Sequence, residues 1–442
     1  MKVGILGAGL SGISLAYMLQ EDARVEGIEL LEKDARPGGL CCSHPFAGVH
    51  ADVGPHILFS KNAAVLELLV SMLGDNIHKL RRSSKIFHDS RFVKYPFENE
   101  LSALSPAERD YCLNSFLNNP YERYAPQNML QFFLKTFGEG ITNLYLRPYN
   151  EKIWKFDPAF MDLQMVERIP KPPPEDIIKS AQGIPTEGYT HQLFFYYPKR
   201  GGIQSLVDSF LTKLGGKVSI RTGVEVRRVS RAGGKWMVES SDGNVRHYDR
   251  LVSTIPIPDL LSLLEPRAPE EVLQAADNLK FNSIAICLFH FTRDNLGENL
   301  SFTLPDTRVL FHRVSKLDFL LPPESRDGES RVMAEVTYRA GDRISKMSDA
   351  EMLDRVTADL ARIKLIDGPD VIRARDITRH RHAYVIYDLD HRRNMKTIRE
   401  YCEGRFGLML HGRFGEFEYI NMDAVVEKSM KRAKEILNSI AS

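Results

Sequence analysis

Cysteine is scarce, charge is balanced and long apolar runs are missing, and each shortage closes off a class of protein. Five cysteines, Cys41, Cys42, Cys112, Cys287 and Cys402, are spread over 442 residues. Two are chain neighbours, a spacing that suits neither an ordinary disulfide nor a zinc knuckle, so reduced thiols in a cytoplasmic setting are expected. Lys and Arg number 59 against 58 Asp and Glu, a formal net charge of +1. Bulk electrostatics therefore argue for neither a nucleic-acid nor a membrane-surface partner. No stretch approaches the roughly 20 apolar residues that a membrane span requires. The first strand-like run begins at Val3, so no signal peptide is expected. The histidines and acids between His380 and His391 lack a regular ligand spacing, so no metal is expected. What remains is a globular chain, 43% hydrophobic and long enough for two or three domains.

The most informative stretch is residues 3–39. An apolar strand, Val3 to Leu6, runs into Gly7-x-Gly9-x-x-Gly12 and a helical pattern over Ile13 to Leu19. A second strand, Gly27 to Leu31, ends on Glu32, twenty residues past the last glycine. Gly7 allows a tight turn, Gly9 lets the backbone approach a pyrophosphate, and Gly12 lets the helix pack against the strand. The helix N-terminus offers unpaired N–H groups and a positive dipole end to phosphates. Glu32 is suited to accept both hydroxyls of a ribose. These parts in register predict a dinucleotide site.

The residues that follow distinguish between dinucleotides. Glu32-x-x-x-Arg36-x-Gly38-Gly39 places a second glycine turn where a nicotinamide dehydrogenase usually continues into a helix. It resembles the extended fingerprint of the FAD-binding oxidoreductases of the glutathione-reductase superfamily, which implies non-covalent FAD; an NAD site is the alternative.

Further along, helical spacing is predicted over Ala63–Leu73 and from Ser105 to about Leu144, and Lys171-Pro172-Pro173-Pro174 is expected to stop regular structure. A helix over Ile203–Leu214 precedes strands at Lys217–Arg221, Glu225–Ser230, Lys235–Ser240 and Tyr248–Thr254. Strand-like runs such as Ile284–Phe289 and Arg331–Val336 predict an antiparallel sheet bounding a substrate cavity. The predicted fold is α/β. A Rossmann-type, glutathione-reductase-like FAD domain is expected from residues 1–75, 200–265 and 395–442. A mainly helical insertion is expected over 76–170, and an antiparallel-sheet substrate domain from 171–199 and 266–394.

Four islands narrow the reading: Gly54-Pro55-His56-Ile57, Lys94-Tyr95-Pro96-Phe97, Tyr149-x4-Trp154-x13-Arg168, and Gly412-Arg413-x-Gly415-x3-Tyr419-x-Asn421-Met422-Asp423. In order and spacing they resemble UDP-galactopyranose mutases, flavoenzymes that interconvert pyranose and furanose forms of a nucleotide sugar. The resemblance implies a reduced-flavin N5 adduct at the anomeric carbon, no net oxidation, and NAD(P)H or another external reductant to prime the flavin. No second dinucleotide fingerprint is present to receive that reductant.

By the same resemblance, His56 lies beside the flavin, and Arg168 and an arginine of the central sheet, Arg313 or else Arg308, clamp a sugar diphosphate. Tyr149, Trp154, Tyr419, Asn421 and either Tyr384 or Tyr387 contact substrate. The implied cofactor set is Gly7, Gly9, Ser11, Gly12, Glu32, Lys33, Gly38, Gly39, Leu40, Val226, Arg413 and Met422. The implied partner is a nucleoside-diphosphate sugar feeding glycan synthesis; a homodimer is left open.

The chain departs from the mutase pattern at Leu320, where a second tyrosine is usual, and at Asn421, which replaces an acid. Phe194-Phe195-Tyr196-Tyr197-Pro198 with Gly201-Gly202 resembles flavin amine oxidases and protoporphyrinogen oxidases equally. An oxidase or desaturase of that type is the competing function.

Overall fold

The computed structural model describes residues 1–169, 171–187 and 193–439, with Arg168 described in its backbone alone. Its centre is a five-stranded parallel sheet in the order Met409–Leu410, Arg250–Ser253, Lys2–Leu6, Gly27–Leu31, Val218–Arg221. Val3 aligns with Arg250 on one side and with Ile28 on the other. Val3, Ile5 and Leu6 are fully buried, as expected of a parallel strand covered on both faces. The covering helices are Leu10–Leu19, Gln204–Thr212 and Met422–Asn438. The first and last lie side by side and parallel, with Ser14 Oγ 2.8 Å from Ser429 Oγ and Arg24 reaching the Leu437 carbonyl. Strands Val226–Ala232, Lys235–Ser240 and Val245–Tyr248 form an antiparallel meander. They return the chain to the sheet at Arg250.

The second large sheet has seven strands, ordered Ile372–Ile386, Lys280–Phe291, Ser330–Tyr338, Arg313–Lys316, Ser301–Thr303, Ser84–His88, Arg91–Lys94. Its central strands are buried along their length. Ser330–Tyr338 has no exposed residue, and Phe289 and Phe291 are wholly enclosed. Each such aromatic contributes about 1.5–3 kcal/mol by leaving water.

The region 76–170, expected to be mainly helical, carries strands as well. Its helices Pro106–Leu117, Met129–Ile141 and Arg147–Trp154 follow three strands, and two of these form a hairpin at the edge of the seven-stranded sheet. The hairpin turns through Asp89 and Ser90 at φ 43° and 63°, a conformation usually signalled by glycine or asparagine, so the turn is hard to read. Residues 171–173 lie outside any helix or strand, as expected of the proline run, and regular structure resumes directly after them. Pro174 opens the helix Pro174–Ala181, a position where its missing N–H costs nothing.

No helix among the described residues is long and apolar enough to cross a membrane, and those residues hold no metal-binding cluster.

Candidate active site

The glycine turn is built as a cradle. The Gly7 N–H donates to the Leu31 carbonyl at 2.8 Å, pinning the turn to the second strand. A Cβ at Gly12 would stand 2.2 Å from the Gly7 carbonyl oxygen, so no side chain fits there. Gly9 is different. Its φ of −72° suits any residue, and a Cβ would meet only Gly38 O and Gly39 Cα at 3.9 Å. The fold itself does not need glycine at 9; a group brought close to the backbone does. Gly38 N–H donates to the Ala8 carbonyl, locking the second glycine turn beside the first.

Around this gap two helix N-termini open side by side. Neither Gly9 nor Asn421, the residues preceding helices Leu10–Leu19 and Met422–Asn438, caps its helix with a side-chain bond. Their parallel packing and the approach of Gly412 to Ser11 bring the two ends together. Free N–H groups and two positive dipole ends suit a pyrophosphate. At the far end Glu32 is mostly buried, and its carboxylate accepts the Ala8 and Asp34 N–H groups. The loop leading to Val226 runs alongside, with Val224 N–H on the Glu32 carbonyl. Leu40 packs between two apolar clusters, Met422 is buried, and Lys33 is exposed.

The second constellation lies where the long strands meet the C-terminal loop. Arg313, opposite Glu335 in the register, donates from Nε at 2.5 Å and from Nη2 at 2.6 Å to its carboxylate. Glu335 is fully buried. Burial opposes the Arg313 charge, but the carboxylate overrides it and raises the guanidinium's pKa well above its usual value. Tyr384 Oη stands 3.5 Å from Glu335 Oε2. The rings of Trp154, Tyr384 and Tyr419 meet edge to face, at centroid distances of 5.2 to 5.7 Å. Tyr149 and His312 complete the wall, 6.5 Å apart. Burial raises the Tyr149 and Tyr384 phenols above their usual range, so both keep their protons.

Between the two constellations lies His56. Its ring accepts no proton readily, because burial pushes it down to about 4. Nδ1 is 3.0 Å from the Gly54 carbonyl; a carbonyl only accepts, so Nδ1 carries the proton and Nε2 is an acceptor. Gly54, at φ +81°, lets the backbone approach Glu335 Oε2, which a Cβ would meet at 3.3 Å. Arg413 donates to the Ile420 and Ala383 carbonyls at 2.7 Å each and stacks 4.5 Å from the Tyr419 ring centre. It thereby fastens the C-terminal loop to the strand carrying Tyr384.

Of the residues expected from sequence, Tyr149, Trp154, Arg313, Tyr384 and Tyr419 therefore lie together, with His56 and Arg413 beside them. Arg308 does not. It is 74% exposed and paired with Asp306. Tyr387 is engaged elsewhere, its hydroxyl accepting the Tyr419 N–H at 2.6 Å and its ring against His391. Arg168 ends the turn Leu163–Arg168, but its side chain lies outside the described residues. Sequence reading missed Glu335 and His312. A lone acid in the apolar run Val332–Val336 was the signal for Glu335; its purpose appears only when Arg313 is paired opposite.

This fold and cradle define a dinucleotide-binding flavoenzyme. Residues 10–385 match the family of flavin-containing amine oxidoreductases, and the chain belongs to that family. Among solved structures, reduced UDP-galactopyranose mutase is similar with a TM-score of 0.89 at 23% identity, over 100% of this chain and 94% of that one. A protein from Exiguobacterium sp. 255-15 assigned as a protoporphyrinogen oxidase gives a TM-score of 0.78 at 17% identity, over 98% of both chains. A variant of putrescine oxidase gives 0.66 at 14% identity, over 99% of both. Family membership implies a flavin of the FAD type, and the bare Gly9 backbone, the open helix ends and Glu32 fit one.

Proposed function

We propose that this flavoenzyme is a nucleotide-sugar mutase that interconverts pyranose and furanose forms, supplying a furanose donor for glycan synthesis. The observation that carries the reading is a half-buried arginine, Arg313, walled by tyrosines and a tryptophan. A sugar diphosphate needs cationic and phenolic donors at one end and flat apolar faces at the other.

FAD would be held by Gly7, Gly9, Ser11 and Gly12 at the pyrophosphate, by Glu32 with Val226 near the adenosine, and by Arg413 and Met422 at the other end. When reduced, by NAD(P)H or another external donor, it supplies an electron-rich nitrogen nucleophile. The protein's own work is positional. Arg313, with Arg168 as its proposed companion, holds the departing diphosphate for return. Tyr419 donates to its oxygens, while Tyr149, Tyr384 and Trp154 line the channel beside the sugar. Neutral His56 offers an acceptor at Nε2 without adding charge beside the flavin. Asn421 is proposed to meet sugar hydroxyls.

A second reading, an amine-oxidase-type oxidase or desaturase, is favoured by Glu335, which already neutralises Arg313. Anaerobic incubation of UDP-, GDP- and dTDP-hexopyranoses with oxidised or dithionite-reduced protein separates the two. A product of unchanged mass, formed only with reduced flavin, supports the mutase. No isomer from any donor, with the flavin instead bleached by an organic substrate and recovered in air, supports the oxidase.

A further inference from the structure

His312 is buried beside Arg313, yet its ring has no task within the protein. It is 1% exposed, and neither Nδ1 nor Nε2 has a hydrogen-bond partner among the described residues. Only its backbone is committed, the N–H donating to the Glu335 carbonyl and the carbonyl accepting from Leu304 N–H. The ring sits 6.5 Å from Tyr149 and 6.4 Å from Tyr384, centroid to centroid. Nε2 is 3.9 Å from Glu335 Oε2, too far for a hydrogen bond. Burying a polar ring with both nitrogens unspent is costly, and an apolar ring of the same shape would avoid that cost. Such a group in a substrate wall is a recognition group.

Its chemistry specifies what it recognises. Burial, then the charges of Arg313, Lys152 and Lys155, lower its pKa well below the usual histidine value, so the ring is neutral. A neutral imidazole offers one N–H donor and one bare acceptor. A phosphate oxygen uses only the donor and an ammonium only the acceptor. Hydroxyl groups, each able to donate and accept, use both.

We infer that His312 is a specificity-determining residue that spends its two ring nitrogens on hydroxyls of the sugar. This rests on the nucleotide-sugar reading above and adds that the sugar end, rather than the diphosphate, lies against His312.

The test is titration of the holoprotein with UDP and with UDP-hexoses, followed by the flavin absorbance shift, in the native protein and in His312→Phe and His312→Gln. In His312→Phe the UDP-hexose Kd is expected to rise roughly tenfold, the loss of about one hydrogen bond, with UDP changed less than about twofold. His312→Gln, which keeps a donor and an acceptor, is expected to recover part of the loss. The Tm of ligand-free His312→Phe is expected to equal or exceed that of the native protein. A UDP-hexose to UDP ratio unchanged in His312→Phe, or a Tm lowered by several degrees, overturns the assignment while leaving the nucleotide-sugar reading intact. A native protein that binds neither these ligands nor the GDP- and dTDP-hexoses overturns that reading, and the assignment with it.

Discussion

Arg313 and Glu335 face each other across two paired strands, and the partly exposed guanidinium gives the wholly buried carboxylate two parallel hydrogen bonds. The pair fixes the guanidinium plane and brings Gly54, Tyr384 and His312 around one carboxylate. Removing one partner leaves the other charge stranded. Glu335→Ala is expected to lose about 1–3 kcal/mol of stability, measured by urea unfolding of the holoprotein. The double change Arg313→Met with Glu335→Ala is expected to recover part of that loss, as coupled neighbours do.

Tyr384→Phe separates substrate contact from packing. The hydroxyl makes one long contact of 3.5 Å with Glu335, so its removal is expected to cost under about 1 kcal/mol of stability. The ring contacts with Trp154 and Tyr419 remain. Nucleotide-sugar binding, read by the flavin absorbance shift, is expected to weaken about tenfold.

The two glycines of the turn make opposite tests of the cradle. Gly12→Ala drives a Cβ against the Gly7 carbonyl and is expected to yield little folded protein. Gly9→Ala meets nothing closer than 3.9 Å, so the apoprotein is expected to keep its stability within about 0.5 kcal/mol. Flavin affinity, measured by equilibrium dialysis, is nonetheless expected to fall at least about tenfold, because the added methyl occupies the pyrophosphate's approach.

Acid sensitivity follows from buried histidines. Burial pushes His56, His380 and His411 down to about 4. The unfolded chain binds protons near the ordinary value of about 6.5, so it holds more protons than the folded one between the two. Stability is complete above that range and falls as pH drops toward 4. Burial of Asp52 and Glu98 raises their carboxyls to about 6 and about 7, which works in the opposite direction. The histidines outnumber them. Tm is expected to decrease between pH 6.5 and 4, and less steeply in His411→Gln, which can still reach Ser429.

The dinucleotide half was legible because its physics is local. Gly7 to Glu32 follow one another in a single strand–turn–helix–strand, and Gly12 answers the Gly7 carbonyl within the same turn. The helix Ala63–Leu73 was legible for the same reason. The strand pairing of Arg313 with Glu335 was not, since 22 residues separate the partners and nothing local marks them. Arg308 and Arg313 could not be told apart by spacing. The strand begins only at Arg313, leaving Arg308 on an exposed turn with Asp306. His312 was invisible for a related reason, because its meaning lies in bonds it does not make.

The central claim is that the flavin here works without net oxidation, and it is tested most directly by counting product against electrons. Under strict anaerobiosis the flavin is reduced once by dithionite, excess reductant is removed, and the nucleotide sugar is added. The account expects many molecules of equal-mass isomer per flavin, with the flavin still reduced at the end. At most one product per flavin, or product that appears only as oxygen is consumed, would contradict it.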